Sequence, residues 1–309
     1  MTEMARTRRR TRPSRGIVGL VGLSVVVLSA CSHAGAPNPA AAPSSVAAAP
    51  SSTSRIPSPA SQVVVPFTNL NVPGSVAVDT AGDLYVTDYV AGQVLKMAPG
   101  AGTATQLPFT GLNGPGGLAV DAAGVVYVTD SGSNPVLKLA PGAGTATPLS
   151  FTGLNGPPGG VAVDAAGDVY VADTRVLKLA AGAGAPTVLS FTGLNGPPKG
   201  LAVDSAGDVY INDAGNNRVL KLAVGAATPT ELPFTGLNAP AGVAVDAAGA
   251  VYVTDAGNSR VLKLAAGAGA PTVLPFTGLN GPGGVAVDGT GAVYVTDAGN
   301  SRVLKLPPA

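Results

Sequence analysis

Aligned on a Val/Leu-Ala-Val-Asp tetrapeptide, the chain repeats itself six times. Asp79, Asp121, Asp164, Asp204, Asp246 and Asp288 close the six copies, spaced 42, 43, 40, 42 and 42 residues apart. A period of that length suits propeller blades rather than stacked helical pairs. The fifth copy shows the unit most clearly, with β-rich runs at Val243–Val245, Val251–Thr254, Arg260–Leu264 and Thr272–Phe276. Between the runs stand turn residues, Asp246-Ala247-Ala248-Gly249 and Asp255-Ala256-Gly257-Asn258, in which Asp bonds its own backbone and Gly supplies positive φ. Four short antiparallel strands per repeat make one blade. Composition excludes the competing classes. With 43 Gly and 28 Pro in 309 residues, long helices are disfavoured, and Gly shows no three-residue period that would make a collagen. Only 11 % of residues are charged, against 46 % hydrophobic, which is not the balance of a charge-swollen disordered chain.

The two ends of the repeat region complete each other. The last copy stops at Val303-Leu304-Lys305-Leu306 without a fourth run, and the first is preceded by Val63-Val64-Val65-Pro66-Phe67, a fourth run without its own blade. An N-terminal strand that completes the last blade closes the ring and leaves no unpaired sheet edge. The expected fold is therefore all-β, a six-bladed β-propeller spanning residues 62–309. Pro66, Pro108, Pro233 and Pro275 recur in the fourth run, which suits an outer edge where no further ladder partner is needed.

Residues 1–31 have the layout of an export signal. Six arginines precede an apolar run from Ile17 to Ala30, too short to span a bilayer, which takes about 20 residues. The run ends Leu28-Ser29-Ala30-Cys31, which resembles the bacterial lipobox. The resemblance implies cleavage before Cys31 and a diacylglyceryl anchor on its sulfur, hence a location on the extracytoplasmic face of the cell membrane. Cys31 is the sole cysteine, so no intramolecular disulfide is available. Residues 32–61 are Ala/Pro/Ser low complexity and read as a disordered tether, with a reach of roughly 30 Å as a flexible coil. The single histidine, His33, falls in that tether, which leaves the repeats without His-based catalysis or His-ligated metal. With residues 1–31, their six arginines and Glu3 set aside, the remainder carries 12 basic and 16 acidic residues. That net −4 argues against nucleic-acid binding.

The unit PxGVAVDxxGxVYVTDxGNxRVLKL resembles the NHL repeat. A signal, a tether and an NHL propeller together resemble the extracellular sensor domain of mycobacterial receptor serine/threonine kinases, here held by lipid. No kinase motif is present, so phosphoryl transfer is not implied.

Repetition decides most of the candidate chemistry. Twelve of the thirteen aromatics recur as one Tyr (85, 127, 170, 210, 252, 294) and one Phe (67, 109, 151, 191, 234, 276) per repeat, the pattern of packing between blades. The exception, Tyr89, lies in the second turn of the first repeat. Twelve of the sixteen acids after residue 31 are two repeated turn aspartates: the set above, and Asp88, Asp130, Asp173, Asp213, Asp255 and Asp297. Each is expected to serve its own turn. The alternative is a carboxylate ring holding Ca²⁺ or Mg²⁺ at one channel mouth. Arg175, Arg218, Arg260 and Arg302 follow a turn Asp closely enough to lock the hairpin by an ion pair.

A partner need not share the sixfold symmetry, so departures from it point to a binding face. These are Tyr89, Val90, Asn134, Pro135, Lys199 and Glu231, together with three residues lost from the second turn of the third repeat. The expectation is a monomeric, lipid-anchored binding scaffold or sensor without cofactor, facing an envelope protein or cell-wall ligand. The alternative is a metal-dependent lactonase or lyase on the same architecture.

Overall fold

The computed structural model describes residues 61–133 and 135–308. The expected signal segment with Cys31, the expected tether up to residue 60, and Asn134 lie outside the described residues. Six four-stranded antiparallel sheets stand around a central channel, each inner strand packed against those of the two neighbouring sheets. In the first sheet the order from channel to rim is Pro73–Val78, Leu84–Asp88, Gln93–Met97 and Thr105–Gln106. The sixth consists of Pro282–Val287, Val293–Asp297 and Arg302–Leu306, with Val63–Val65 as its outer strand. Val63 pairs with Lys305, Val64 with Leu304 and Val65 with Val303. The ring thus closes by the N-terminal strand, as the two ends of the repeats predict. Among the described residues every strand lies between Val63 and Leu306, and the six sheets close a complete ring within that span.

The core is divided among the seams between blades. Tyr85 and Val94 of the first blade pack with Leu118, Val126 and Val128 of the second, and the cluster recurs around the ring. Second strands are buried on both faces, which is why they read Val-Tyr-Val rather than alternating with polar residues. At their centres Val86, Val128, Val171, Ile211, Val253 and Val295 are fully buried. Each such side chain contributes about 1.5–3 kcal/mol relative to leaving it exposed.

The turn after each inner strand is built by its Asp. Asp79 Oδ1 accepts the N–H groups of Ala81 and Asp83, both at 2.9 Å, while Gly82 adopts φ +86°, a conformation that favours glycine. Its Oδ2 accepts the Tyr85 hydroxyl at 2.9 Å. The same Tyr–Asp bond recurs in every blade. Across the ladder Lys96 lies opposite Tyr85, its ammonium 5.1 Å from the ring centre, and four other blades repeat this stacking.

Outer strands are shorter than the sequence pattern suggests. In the fifth blade pairing covers only Thr272–Val273. The Leu274 N–H still reaches Val261, but the Phe276 N–H turns back to the Leu274 carbonyl. This tight turn carries the Phe inward and leaves the recurring proline just past the ladder.

Candidate binding site at the channel mouth

All six inner strands start at the same face of the ring. They enclose there a cavity of about 470 Å³; a second, of about 190 Å³, lies further along the channel among the Val/Leu-Ala-Val segments. The wall of the larger one is made mostly of small side chains. Two residues before the first apolar residue of each tetrapeptide stand Gly74, Gly116, Gly159, Lys199, Ala241 and Gly283. Directly after each hairpin Asp stand Tyr89, Ser131, Thr174, Ala214, Ala256 and Ala298. Lys199 is the one charged residue lining the cavity and Tyr89 the one aromatic. They come from blades 4 and 1, on opposite sides of the ring.

Local sequence explains both placements. The Tyr89 N–H donates to the Val72 carbonyl at 2.9 Å, and its ring lies against Gly114, where a Cβ would approach within 3.0 Å. Tyr89 nevertheless remains 48 % exposed. Lys199 is exposed, and no carboxylate among the described residues lies within 4 Å of its ammonium. It sits in a lead-in lengthened by one residue: Pro157-Pro158 and Pro197-Pro198 replace the single proline of the other blades. Inner strands there start late, at Val161 and Leu201, whereas in the other four blades a bulge lets pairing resume at the proline.

A threonine in the second strand fixes the inner strands to one another. Thr87 Oγ1 accepts the Ser75 N–H at 2.8 Å and donates to the Gly116 carbonyl of the next blade at 3.1 Å. Thr129, Thr254 and Thr296 form the same bridge. Blades 3 and 4 carry Ala172 and Asn212 instead. The Gly160 N–H reaches the Pro198 carbonyl at 3.2 Å across the first of these seams. At the second, the Asn212 carboxamide is fully buried with neither its nitrogen nor its oxygen hydrogen-bonded. Blade 4, which carries Lys199, is therefore bridged by a hydroxyl on neither side.

The structure brings Tyr89 and Lys199 to one cavity and leaves Val90, Pro135 and Glu231 outside it. Val90 is 57 % exposed beside Tyr89 but does not line the cavity. Pro135 follows the hairpin of blade 2, where its carbonyl accepts the Asp130 N–H at 3.0 Å. Glu231 lies on the outer strand Thr230–Glu231, 3.8 Å from the Arg218 guanidinium. Sequence reasoning passed over Ser75, Ser131 and Pro157 as cavity residues, and Asn212 behind the wall. The signal for the lengthened lead-in was there: Asn155 to Asp164 is nine steps, while Asn71 to Asp79 is eight.

The repeated carboxylates are all engaged. The second turn aspartates are buried and accept backbone N–H groups from the incoming lead-in, as Asp88 does from Asn71 and Val72 at 2.8 and 3.1 Å. In blades 3 to 6 an arginine joins them: Arg175, Arg218, Arg260 and Arg302 approach Asp173, Asp213, Asp255 and Asp297 at 2.7, 2.9, 2.7 and 2.7 Å. Burial pushes Asp173 up, but Arg175 and two backbone donors outweigh it and hold the carboxyl below its usual range. At the opposite face Lys178 and Lys221 hold Asp168 and Asp208 low in the same way. Among the described residues, no three His, Cys, Asp or Glu side chains converge as metal ligands.

Sheet order, ring closure and channel define a six-bladed β-propeller. Residues 112–139, 237–264 and 279–306, in three of the six blades, match the NHL repeat. Among solved structures, a gluconolactonase from Xanthomonas campestris is 17% identical, with a TM-score of 0.67 over 80% of this chain and 89% of that one. A streptogramin B lyase is 15% identical, with a TM-score of 0.58 over 79% of this chain and 95% of its own. A chain of a nidogen–laminin complex is 24% identical, with a TM-score of 0.58 over 70% of this chain and 90% of that one. These likenesses show the fold. No curated protein matches the chain in sequence.

Proposed function

We propose that this protein is an exported, lipid-anchored NHL propeller that binds a ligand or partner protein at the cell envelope, as a scaffold or sensor without chemistry of its own. The observation that carries this reading is the channel mouth: a largely apolar cavity that one aromatic side chain, Tyr89, and one charged side chain, Lys199, line. Twelve turn carboxylates bonded to backbone, Tyr or Arg support binding over acid–base chemistry, since none is left to act on a substrate. The anchor rests on Leu28-Ser29-Ala30-Cys31, and the outward-facing placement on the Arg-rich, short apolar signal before it. The resemblance to extracellular sensor domains of mycobacterial receptor kinases supports the same placement. The lactonase or lyase reading needs several ligands converging in one pocket, and no feature of this mouth favours it.

Two measurements test the proposal. Cells fed an alkynyl palmitate should label the protein, and Cys31→Ser should abolish both labelling and membrane retention. A photo-reactive amino acid at position 89 should capture envelope material that the same group at position 231 does not. Capture equal at both positions, or unlabelled protein in the soluble fraction, contradicts it.

A further inference from the structure

Lys199 and Tyr89 are large side chains at two repeat positions of the mouth that the other blades fill with small residues. At the position of Lys199 the other blades carry Gly or Ala, and at the position of Tyr89 they carry Ala, Ser or Thr. Lys199 is thus the one cationic side chain over an apolar cavity, with no carboxylate among the described residues within 4 Å. The acids of the same face give no competing partner, because the hairpin aspartates are buried against backbone donors and arginines. The cavity's volume of about 470 Å³ falls within the range of small-molecule sites, which enclose an apolar body and orient it with a few polar groups. Directly behind the wall, the Asn212 nitrogen lies 2.9 Å from where a Cβ on the cavity-lining Gly200 would stand, and its carboxamide makes no hydrogen bond. A buried unpaired amide beside the lone lysine concentrates polar character at blade 4, on an otherwise apolar ring.

We propose that this mouth binds a small amphiphilic anion. Its apolar, ring-bearing body enters the channel and rests against Tyr89, and its carboxylate or phosphate is held by Lys199. This rests on the reading of the mouth as a binding site and adds the chemical class of the ligand. The Tyr89 face and the Pro/Gly backbone favour a flat ring over a flexible chain, because a rigid body loses less freedom on entering. The ion pair selects against neutral and cationic analogues of the same shape more than it adds affinity.

The test uses four probes with one apolar body: 1-naphthoate, 1-naphthyl phosphate, 1-naphthol and 1-naphthylmethylammonium. They are titrated calorimetrically into the 62–309 propeller. Both anions, or whichever of carboxylate and phosphate is the true head group, should bind about threefold to tenfold more tightly than the neutral probe, and the cation most weakly. Lys199→Gly, which recreates the Pro-Pro-Gly-Gly lead-in already present in blade 3, should erase that preference. Lys199→Glu should reverse it in favour of the cation, and Tyr89→Ala should weaken all probes together. Equal binding of all four probes, or an anion preference that survives Lys199→Gly, overturns the anion assignment while leaving the mouth a binding site. No binding by any probe also overturns it, and the scaffold reading then stands or falls on capture from position 89.

Discussion

Replacing Thr254 by Val tests the claim that the channel wall is fixed by hydroxyl bridges between blades. Valine keeps the shape and the β-branch, so packing is preserved and the hydroxyl alone is lost. Thr254 Oγ1 accepts the buried Gly242 N–H at 2.6 Å and donates to the Gly283 carbonyl of the next blade at 2.5 Å. Stranding the buried donor costs about 1–3 kcal/mol, and losing the half-buried acceptor's bond about 0.5–1.5 kcal/mol. The variant should therefore lose about 2–4 kcal/mol, read as a lower urea midpoint at unchanged slope. For a ring of this size each kcal/mol lowers Tm by about 2–4 °C. The opposite change at the opposite kind of seam sharpens the test. Asn212→Thr removes a buried carboxamide without partners and restores the bridging residue, so it should stabilise by about 1–2 kcal/mol. A Thr254→Val protein within 0.5 kcal/mol of the parent, or an Asn212→Thr protein less stable than it, refutes the reasoning.

Other consequences follow from the same geometry. Burial, helped by the bond to Asp121, pushes the Tyr127 hydroxyl up to about 12. Its folded value lies above the unfolded one, so the stability it supplies is complete below about pH 10 and fades as pH rises toward 12. A difference titration at 295 nm against Tyr127→Phe should show a step at about pH 12, and a step near 10 contradicts the burial argument. Lys178 and Lys221 hold Asp168 and Asp208 low, so their contribution is complete above about pH 4 and is lost as pH falls below it. Asp168→Asn should flatten the acid limb of a stability–pH curve while leaving Lys96 and Asp83 paired in blade 1. Asp297→Ala strands the Asn280 N–H and takes the buried acceptor from the Asn300 amide and the Arg302 guanidinium, which keep only the Gly278 carbonyl, and should cost about 3–5 kcal/mol in urea unfolding. Arg302→Ala leaves the Asp two of its donors and should cost distinctly less.

The fold was legible because repetition makes one repeat evidence for all. A fourth run missing at Leu306 and present at Val63 predicts that the N-terminal strand completes the last blade, and Val64 does pair with Leu304. The turn role of Asp79 and its five equivalents was readable for the same reason, since a sixfold Asp–x–x–Gly belongs to a backbone device. What stayed hidden depends on contacts between blades. Nothing in Thr87 alone reveals that it joins Ser75 to Gly116, because its partners come from two inner strands and one lies 29 residues on. The Lys–Tyr stacking is hidden for the same reason, because only the ladder sets the Val-Leu-Lys-Leu lysine opposite the repeat tyrosine. Of the asymmetric residues, sequence singled out Tyr89 and Lys199 together with Val90, Asn134, Pro135 and Glu231. Only three-dimensional placement separates the pair at the mouth from Glu231 on an outer strand.

The central claim is that the wide channel mouth is where this propeller meets its ligand. Amide hydrogen exchange of the 62–309 propeller with and without 1-naphthyl phosphate addresses it most directly. The account predicts added protection in the lead-ins around residues 72–76, 157–161 and 197–201 and in the hairpin at Tyr89, with none on the outer strands Thr105–Gln106 and Thr230–Glu231. Protection centred on the outer strands, or on the turns of Asp79 and its equivalents at the opposite face, contradicts it.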